Sequence, residues 1–257
     1  MIFDSHMHTE LSSDSKMTID EVIKRGQDLN IGTIITEHMD YNYPVPDLFK
    51  VDCDNFFDKY RRYRSNNLLL GIEIGLSKSI LDKNNDLSNK YPFDFILGSI
   101  HSINDIDIFS DPNKDFISKK DYFISYFNEM IRDITDFDNF DSLAHIDYPC
   151  RYLNFKDNEI YFNEFHDYID EVFKIIISKG KVLELNSRRI DIRDSEDALL
   201  ELYKRYRELG GKYITLGSDA HNKESIGMNF DIALDMAHEA KLTPIYFKAR
   251  KPEIITL

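Results

Sequence analysis

Short apolar runs, separated by longer stretches of helical periodicity, set the pattern of this chain. Seven runs read as strands: Ile2 to His6, Thr33 to Glu37, Leu68 to Ile74, Phe93 to Ile100, Ser142 to Ile146, Lys181 to Asn186 and Tyr213 to Gly217. Between several of them, apolar residues recur at helical spacing. Thr18 precedes Glu21 by three positions, the signature of a capping box, and Ile19, Val22, Ile23 and Leu29 follow on one face. Tyr122, Phe123, Tyr126, Phe127, Met130, Ile131 and Ile134 form a second stripe, and Phe162, Phe165, Ile169, Val172, Phe173 and Ile176 a third. A fourth, Leu199, Leu202, Tyr203, Tyr206 and Leu209, stops at Gly210-Gly211, where glycine ends helices. These aromatic stripes are packing surfaces. Strands alternating with helices predict an α/β fold, a parallel sheet closed or nearly closed into a barrel with outer helices and seven units rather than eight. The tail from Leu242 to Leu257 is expected to add an irregular eighth element. Two polar stretches, Asp40 to Asp54 and Ser77 to Lys90, interrupt the pattern and read as loops or weak helices over the barrel mouth. With no repeat, linker or low-complexity segment, residues 1–257 are expected to form one barrel domain.

Composition narrows this picture only slightly. The length of 257 residues suits one large α/β unit. A hydrophobic fraction of 42% rules out wholesale disorder. No run approaches ~18 apolar residues, the length that suggests a membrane span. The opening strand leaves no room for a cleaved signal, so the protein is expected in the cytoplasm. Cys53 and Cys150, far apart and in no Cys-x-x-Cys pattern, read as free thiols. A formal charge of −14 with no basic stripe repels a phosphate backbone and argues against nucleic acid. A small phosphorylated metabolite is still admitted, since bound divalent cations and one or two arginines make a locally positive pocket in an acidic protein.

The chemistry lies at the ends of the strands. In Asp4-x-His6-x-His8 the alternation of a strand points all three side chains one way, so two imidazoles converge on a cation while Asp4 is placed to orient a ring. The second run ends Thr36-Glu37-His38, the third Gly71-Ile72-Glu73, the fourth Gly98-Ser99-Ile100-His101, the fifth Ala144-His145-Ile146-Asp147 and the seventh Gly217-Ser218-Asp219-Ala220-His221. C-terminal strand ends of a parallel barrel share one rim, which gathers residues 6 to 221 around one mouth. Six of the eight histidines fall at these ends, and with Glu73 and Asp219 they point to a metal site. His166 and His238 sit inside helical patterns and read as surface or packing residues.

These motifs span almost the whole chain, and together they resemble the polymerase and histidinol phosphatase (PHP) domain family. The resemblance implies a distorted (β/α)7 TIM-like barrel with a trinuclear metal centre. Carried over by position, it implies one metal on His6, His8, Glu73 and Asp219, with Glu73 bridging to a second on His101 and His145. His38 and His221 would hold a third. Where many relatives have another histidine this chain has Asp14, readable as an oxygen ligand or as a residue at the entry of the first helix. Mixed imidazole and carboxylate ligation suits Zn, Mn or Fe(II).

Within the family, Thr36-Glu37-His38, Tyr91-Pro92-Phe93-Asp94, Gly98-Ser99-Ile100-His101 and Arg250-Lys251-Pro252 are similar to the branch of monofunctional histidinol-phosphate phosphatases. That implies hydrolysis of L-histidinol phosphate in histidine biosynthesis. A hydroxide bridging the Glu73-linked pair would attack phosphorus, with Glu73, Asp219 and His221 at the reacting centre. For the phosphate, Arg151 and the pair Arg188-Arg189 follow strand ends, and the resemblance favours Arg151 and Arg189. Glu10, Asp40, Tyr41 and Tyr43 make an acidic, aromatic loop that suits a cationic amine and an imidazole, or are ordinary loop polars. The alternatives are another small phosphoester, a protein phosphotyrosine, or a proofreading or structural module of the kind this fold supplies to DNA polymerases.

Overall fold

The computed structural model describes residues 1–255 apart from 111, 113–115 and 117. Strands β1 (Phe3–Asp4), β2 (Gly32–Met39), β3 (Leu68–Gly75) and β4 (Phe95–Ser99) are followed by a small hairpin of β5 (Ser102–Ile103) and β6 (Ile106–Asp107). Then come β7 (Ser142–Leu143), β8 (Val182–Asn186) and β9 (Tyr213–Gly217). The main sheet runs β1-β2-β3-β4-β7-β8-β9 with every one of these pairings parallel. All seven expected strands are present. The two edges meet just past β1 and β9: Ser5 N–H donates to Leu216 O at 2.8 Å, His8 N–H donates to Ala220 O at 2.8 Å, and Met7 bridges Ala220 in the parallel sense. A seam of so few bonds makes the curved sheet barrel-like and distorted.

Helices α1 (Ile19–Leu29), α2 (Cys53–Tyr60), α3 (Leu81–Lys90), α4 (Lys119–Asp136), α5 (Phe162–Ser178), α6 (Arg193–Glu208) and α7 (Phe230–Glu239) connect the strands. The capping box forms as the sequence expects: Thr18 Oγ1 accepts from Glu21 N–H at 3.3 Å, and Glu21 Oε2 accepts from Thr18 N–H at 3.0 Å. The Phe/Tyr stripes of α4, α5 and α6 are buried with one face of the sheet in the larger apolar core. Of the two forms expected for Ser77 to Lys90 the helical one is taken, a 3-10 turn followed by α3, because Leu87 buries in that core and Asn84 Nδ2 donates to Gly75 O at 3.0 Å. None of the described helices is long and apolar enough to cross a membrane.

The other face of the strands encloses a second apolar cluster. Phe3, Ile34, Leu69, Phe95, Leu97, Ala144 and Val182 form it from the seven-stranded sheet. Alternation then carries each strand from apolar to polar along its inward column: Ile34, Thr36 and His38 in β2, Leu69, Gly71 and Glu73 in β3, Phe95, Leu97 and Ser99 in β4. One end of the interior is therefore a hydrophobic plug and the other a polar mouth.

The tail supplies the rest of the plug. Instead of an irregular element it forms β10 (Thr243–Lys248), parallel to the start of β9, and β11 (Lys251–Ile254), antiparallel to β10. Ile245, Phe247 and Ile255 join the inner cluster, and the Phe247 ring stacks on Phe95 with centroids 5.5 Å apart. Residues 256 and 257 lie outside the described residues. Phe247→Ala is expected to lower unfolding stability by about 3–5 kcal/mol in urea titrations while the metal content of the purified protein stays the same. A loss below about 1 kcal/mol would mean that the hairpin does not close this core.

Candidate metal centre

The polar ends of the inward columns converge on Glu73, which has no exposed surface. His6 Nε2 and His8 Nε2 lie 3.3 and 3.4 Å from Glu73 Oε2, and 3.5 and 3.3 Å from Asp219 Oδ1. His101 Nε2 and His145 Nε2 lie 3.2 and 3.0 Å from the other oxygen, Oε1. On the outer side, Asp14 Oδ2 lies 2.8 Å from His221 Nε2 and 3.5 Å from His38 Nε2, while the His8 ring stacks on His38 at 4.0 Å. Every residue expected at the metal site is brought together, Asp14 included. Asp219 reaches the site from a left-handed backbone, φ 53°, a conformation that ordinary residues adopt mainly where the surroundings impose it.

This spacing fits divalent cations. Donors bound at about 2.1 Å around a tetrahedral ion stand roughly 3.4 Å from one another, and the contacts of His6 and His8 with Glu73 Oε2 and Asp219 Oδ1 fall there. The nitrogens His6 Nε2, His8 Nε2 and His101 Nε2 and the oxygen Glu73 Oε2 are buried with no hydrogen-bond partner among the described residues, which is costly unless a cation completes them. Four groups of three donors each close to within a common 4.8 Å: His6, His8 and Glu73; His6, His145 and Asp219; His38, Glu73 and His101; and His8, His38 and His221. Burial works against the charge on Glu73, yet the imidazoles of His6, His101 and His38 outweigh it and hold the carboxyl well below its usual range. Asp219 is held low in the same way, chiefly by His6 and Arg151.

The histidines are oriented by carboxylates that the sequence did not single out for this work. Glu184 Oε1 meets His6 Nδ1 at 2.8 Å and its Oε2 accepts from His145 N–H at 2.8 Å, so one side chain fixes histidines from two segments. Asp40 Oδ1 meets His101 Nδ1 at 2.9 Å. Both depend on a neighbouring glycine: a Cβ at Gly217 would overlap Glu184 Oε1 and stand 2.6 Å from His6 Cβ, and one at Gly75 would overlap Asp40 Oδ1. Neither pair is adjacent in sequence, so no local signal marked Glu184 or Asp40 for this work. Glu37 forms a third support, accepting from Thr9 N–H and from the hydroxyls of Thr9 and Ser12, while Ser12 Oγ in turn accepts from His38 N–H at 3.1 Å.

Asp4 departs from expectation. It orients no imidazole; it accepts from Ser218 N–H at 2.9 Å, Ser218 Oγ at 2.6 Å and Gly227 N–H at 2.9 Å, tying the loop that carries Asp219. Strict alternation fails because β1 ends at Asp4 and the chain leaves regular geometry before His6. Burial lifts the Asp4 carboxyl to about 6 against the pull of these bonds.

The cage opens into a cavity of about 250 Å³. Arg151 lies on its wall, donating through Nη1 to Asp219 Oδ2 at 2.5 Å and through Nη2 to Asn186 Oδ1 at 3.1 Å. Arg188 lies on the same wall with Nη1 3.3 Å from that oxygen. Arg189, favoured on resemblance, instead turns into the body of the protein. It is buried, with Nη1 3.0 Å from Asp147 Oδ2 and Nη2 paired to Glu159, two carboxylates that draw it away from the cavity. Asp40 and Tyr43 border the cavity and Tyr41 and Glu10 do not. His166 is half exposed and His238 is exposed on α7, both far in sequence from the strand ends.

Comparison with known proteins agrees with this geometry. A model of the PHP domain matches residues 4–188. A probable histidinol-phosphatase of Clostridium acetobutylicum is 47% identical over 250 residues, 97% of this chain and 98% of that one. The histidinol-phosphatase of Lactococcus lactis subsp. lactis is 29% identical over 229 residues, 85% of this chain and 83% of that one. A crystal structure of histidinol phosphate phosphatase from Lactococcus lactis subsp. lactis, complexed with zinc, L-histidinol and phosphate, superposes with a TM-score of 0.90 at 25% identity over 98% of each chain. With the match reaching from Asp4 to Arg188 and that likeness running nearly end to end, this chain belongs to the PHP domain family.

Proposed function

We propose that this protein is a metal-dependent phosphomonoesterase that hydrolyses L-histidinol phosphate to L-histidinol and phosphate, a step in making histidine. The observation that carries the reading is a carboxylate-centred cage of imidazoles opening into a cavity whose adjoining wall presents two arginines. The names and near end-to-end likeness of the relatives supply the substrate.

When bound, divalent cations at such a centre supply Lewis acidity, bringing the pKa of water toward neutrality and offsetting charge on the phosphoryl group. The chain's own residues hold and aim that chemistry. His6, His8, Glu73 Oε2 and Asp219 Oδ1 form one set of donors, and Glu73 Oε1 with His101 and His145 a second, so Glu73 spans both. His38, His221 and Asp14 form a third set, and three ions of Zn, Mn or Fe are the proposed complement. Glu184 and Asp40 fix the tautomer and angle of His6 and His101 by taking their Nδ1 atoms. Arg151 and Arg188 offer planar forks to phosphate oxygens, and Asp219, which takes the arginines on Oδ2 and the imidazoles on Oδ1, ties phosphate binding to the cage. Glu73, Asp219 and His221 stand at the reacting atoms. The aromatic wall of Tyr43, Phe109 and Tyr152 shields the substrate from bulk water.

Three outcomes test this reading. Glu73→Gln is expected to lower bound metal and to cut turnover by roughly 10²–10³-fold or more, read by elemental analysis beside phosphate release. Full activity in that variant would refute the shared carboxylate. Arg188→Ala is expected to raise KM for L-histidinol phosphate about tenfold or more with a smaller effect on kcat, whereas Arg189→Ala, which strands Asp147 and Glu159, should chiefly lower stability, by about 3–5 kcal/mol. The reverse pattern would return the phosphate to Arg189. Imidazoles ligate only when neutral, so lowering the pH toward about 5 should release metal and activity together, and both should return when metal is added back at pH 7.5. Activity that persists in stripped protein would exclude a metal-dependent reaction.

A further inference from the structure

The cavity beside the cage has two electrically different ends. Four aspartates line it, Asp14, Asp40, Asp107 and Asp219. Three are committed: Asp14 to His221 and His38, Asp40 to His101, and Asp219 to imidazoles and arginines. Asp107 is different. Its Oδ1 accepts from Ser110 N–H at 2.7 Å, and no cationic group among the described residues pairs with it, although the residue is only 8% exposed.

The chain holds this carboxylate in a fixed place. β5 and β6 are joined by Asn104 and Asp105, both with positive φ (52° and 62°), the two-residue turn that matches the twist of a tight hairpin. Ile108 N–H then donates to His101 O at 2.9 Å, sewing the hairpin back to a residue of the cage. Asp107 is thus held one residue from that stitch, on the cavity wall. A shielded carboxylate without a cation is unfavourable in the free protein, and a ligand that brings one gains accordingly.

We infer that Asp107 is the specificity-determining residue that receives the ammonium group of the substrate. This rests on the phosphatase reading and deepens it. In L-histidinol phosphate the ammonium stands on the carbon next to the ester carbon, so a phosphate held at the cage and the arginines brings a positive charge close behind it. Asp107, beside His101, meets that charge, and Tyr43, Phe109 and Tyr152 leave an aromatic wall for the imidazole. A phosphate ester without an amine would leave Asp107 unpaired and lose this part of its binding.

The test uses the metal-loaded, full-length enzyme and compares Asp107→Asn with the unaltered chain on two substrates, L-histidinol phosphate and 3-(imidazol-4-yl)propyl phosphate, which lacks the amine. Asparagine keeps an oxygen for Ser110 N–H and removes the charge, so the hairpin is retained. The expected result is a rise in KM for L-histidinol phosphate that exceeds the change for the amine-free ester by about 10- to 100-fold, the strength of a hydrogen bond between charged groups. Asp107→Glu should recover part of the discrimination. Equal effects on both substrates, or none, would overturn the assignment, as would an unaltered enzyme that favours the amine-free ester. An unaltered enzyme that releases phosphate from both esters without preference sinks the assignment alone. One that releases it from neither sinks the phosphatase reading as well.

Discussion

A carboxylate shut away from water has to be neutralised where it stands, and in this protein the burial of Glu73 is the constraint from which the rest follows. A buried unpaired charge is prohibitive, while a buried charge surrounded by donors or cations is tolerable. Imidazoles from four neighbouring segments supply that surrounding here: His6 and His8 after β1, His38 in β2, His101 after β4 and His145 after β7. Each is short of a partner at one nitrogen or lies at cation-sharing distance, so the group as a whole is incomplete as protein alone and becomes complete with metal. Stability at this end of the barrel and the capacity for chemistry are one property.

The separation of the interior into an apolar half and a polar half makes this possible. Along β2, β3 and β4 the same inward column runs from Ile34, Leu69 and Phe95 to His38, Glu73 and Ser99, and Ser99 Oγ donates to Glu73 Oε1 at 2.6 Å. The plug of Phe95, Phe247 and their neighbours supplies the rigidity against which the polar end is set. Rigid strands place donors more reliably than loops do. Where the chain must leave strand geometry, at Ser5 and at Asp219, Asp4 ties the departing segments together through Ser218 and Gly227.

The strands and the residues that meet at the cage were legible because each is written locally: an apolar run followed by a histidine or acid needs no knowledge of what lies across the sheet. The capping box of Thr18 and Glu21 was legible for the same reason. Glu184 was not, since in Leu183-Glu184-Leu185-Asn186 it looks like any alternating polar residue, and only the pairing of β7, β8 and β9 brings it to His6 and His145. Asp4 was misjudged through the opposite fault, a local rule carried past the end of the short strand β1. Arg188 and Arg189 are neighbours in sequence with opposite surroundings, a distinction set by Asp147 and Glu159 from other segments. Local pattern settled what each strand contributes, and tertiary contact settled what each contribution does.

An acidic chain that binds a doubly charged anion looks contradictory until the distribution of charge is followed into the cavity. Among the described residues twelve acids are buried against one base, Arg189, so much of the −14 is carried inside the molecule rather than on its surface. Within the cavity, Asp219 lies against His6, His8 and Arg151, and Asp14 against His38 and His221, so each of these acids is met by imidazole or guanidinium nitrogens. Arg151 and Arg188 share Asp219 between them on the same wall, two guanidinium groups to one carboxylate. Attraction of a small phosphoester is thereby confined to the mouth. Selection by charge is therefore made in the cavity, where, on the proposed assignment, a cage that takes cations and the carboxylate of Asp107 suit a compact molecule that carries both signs.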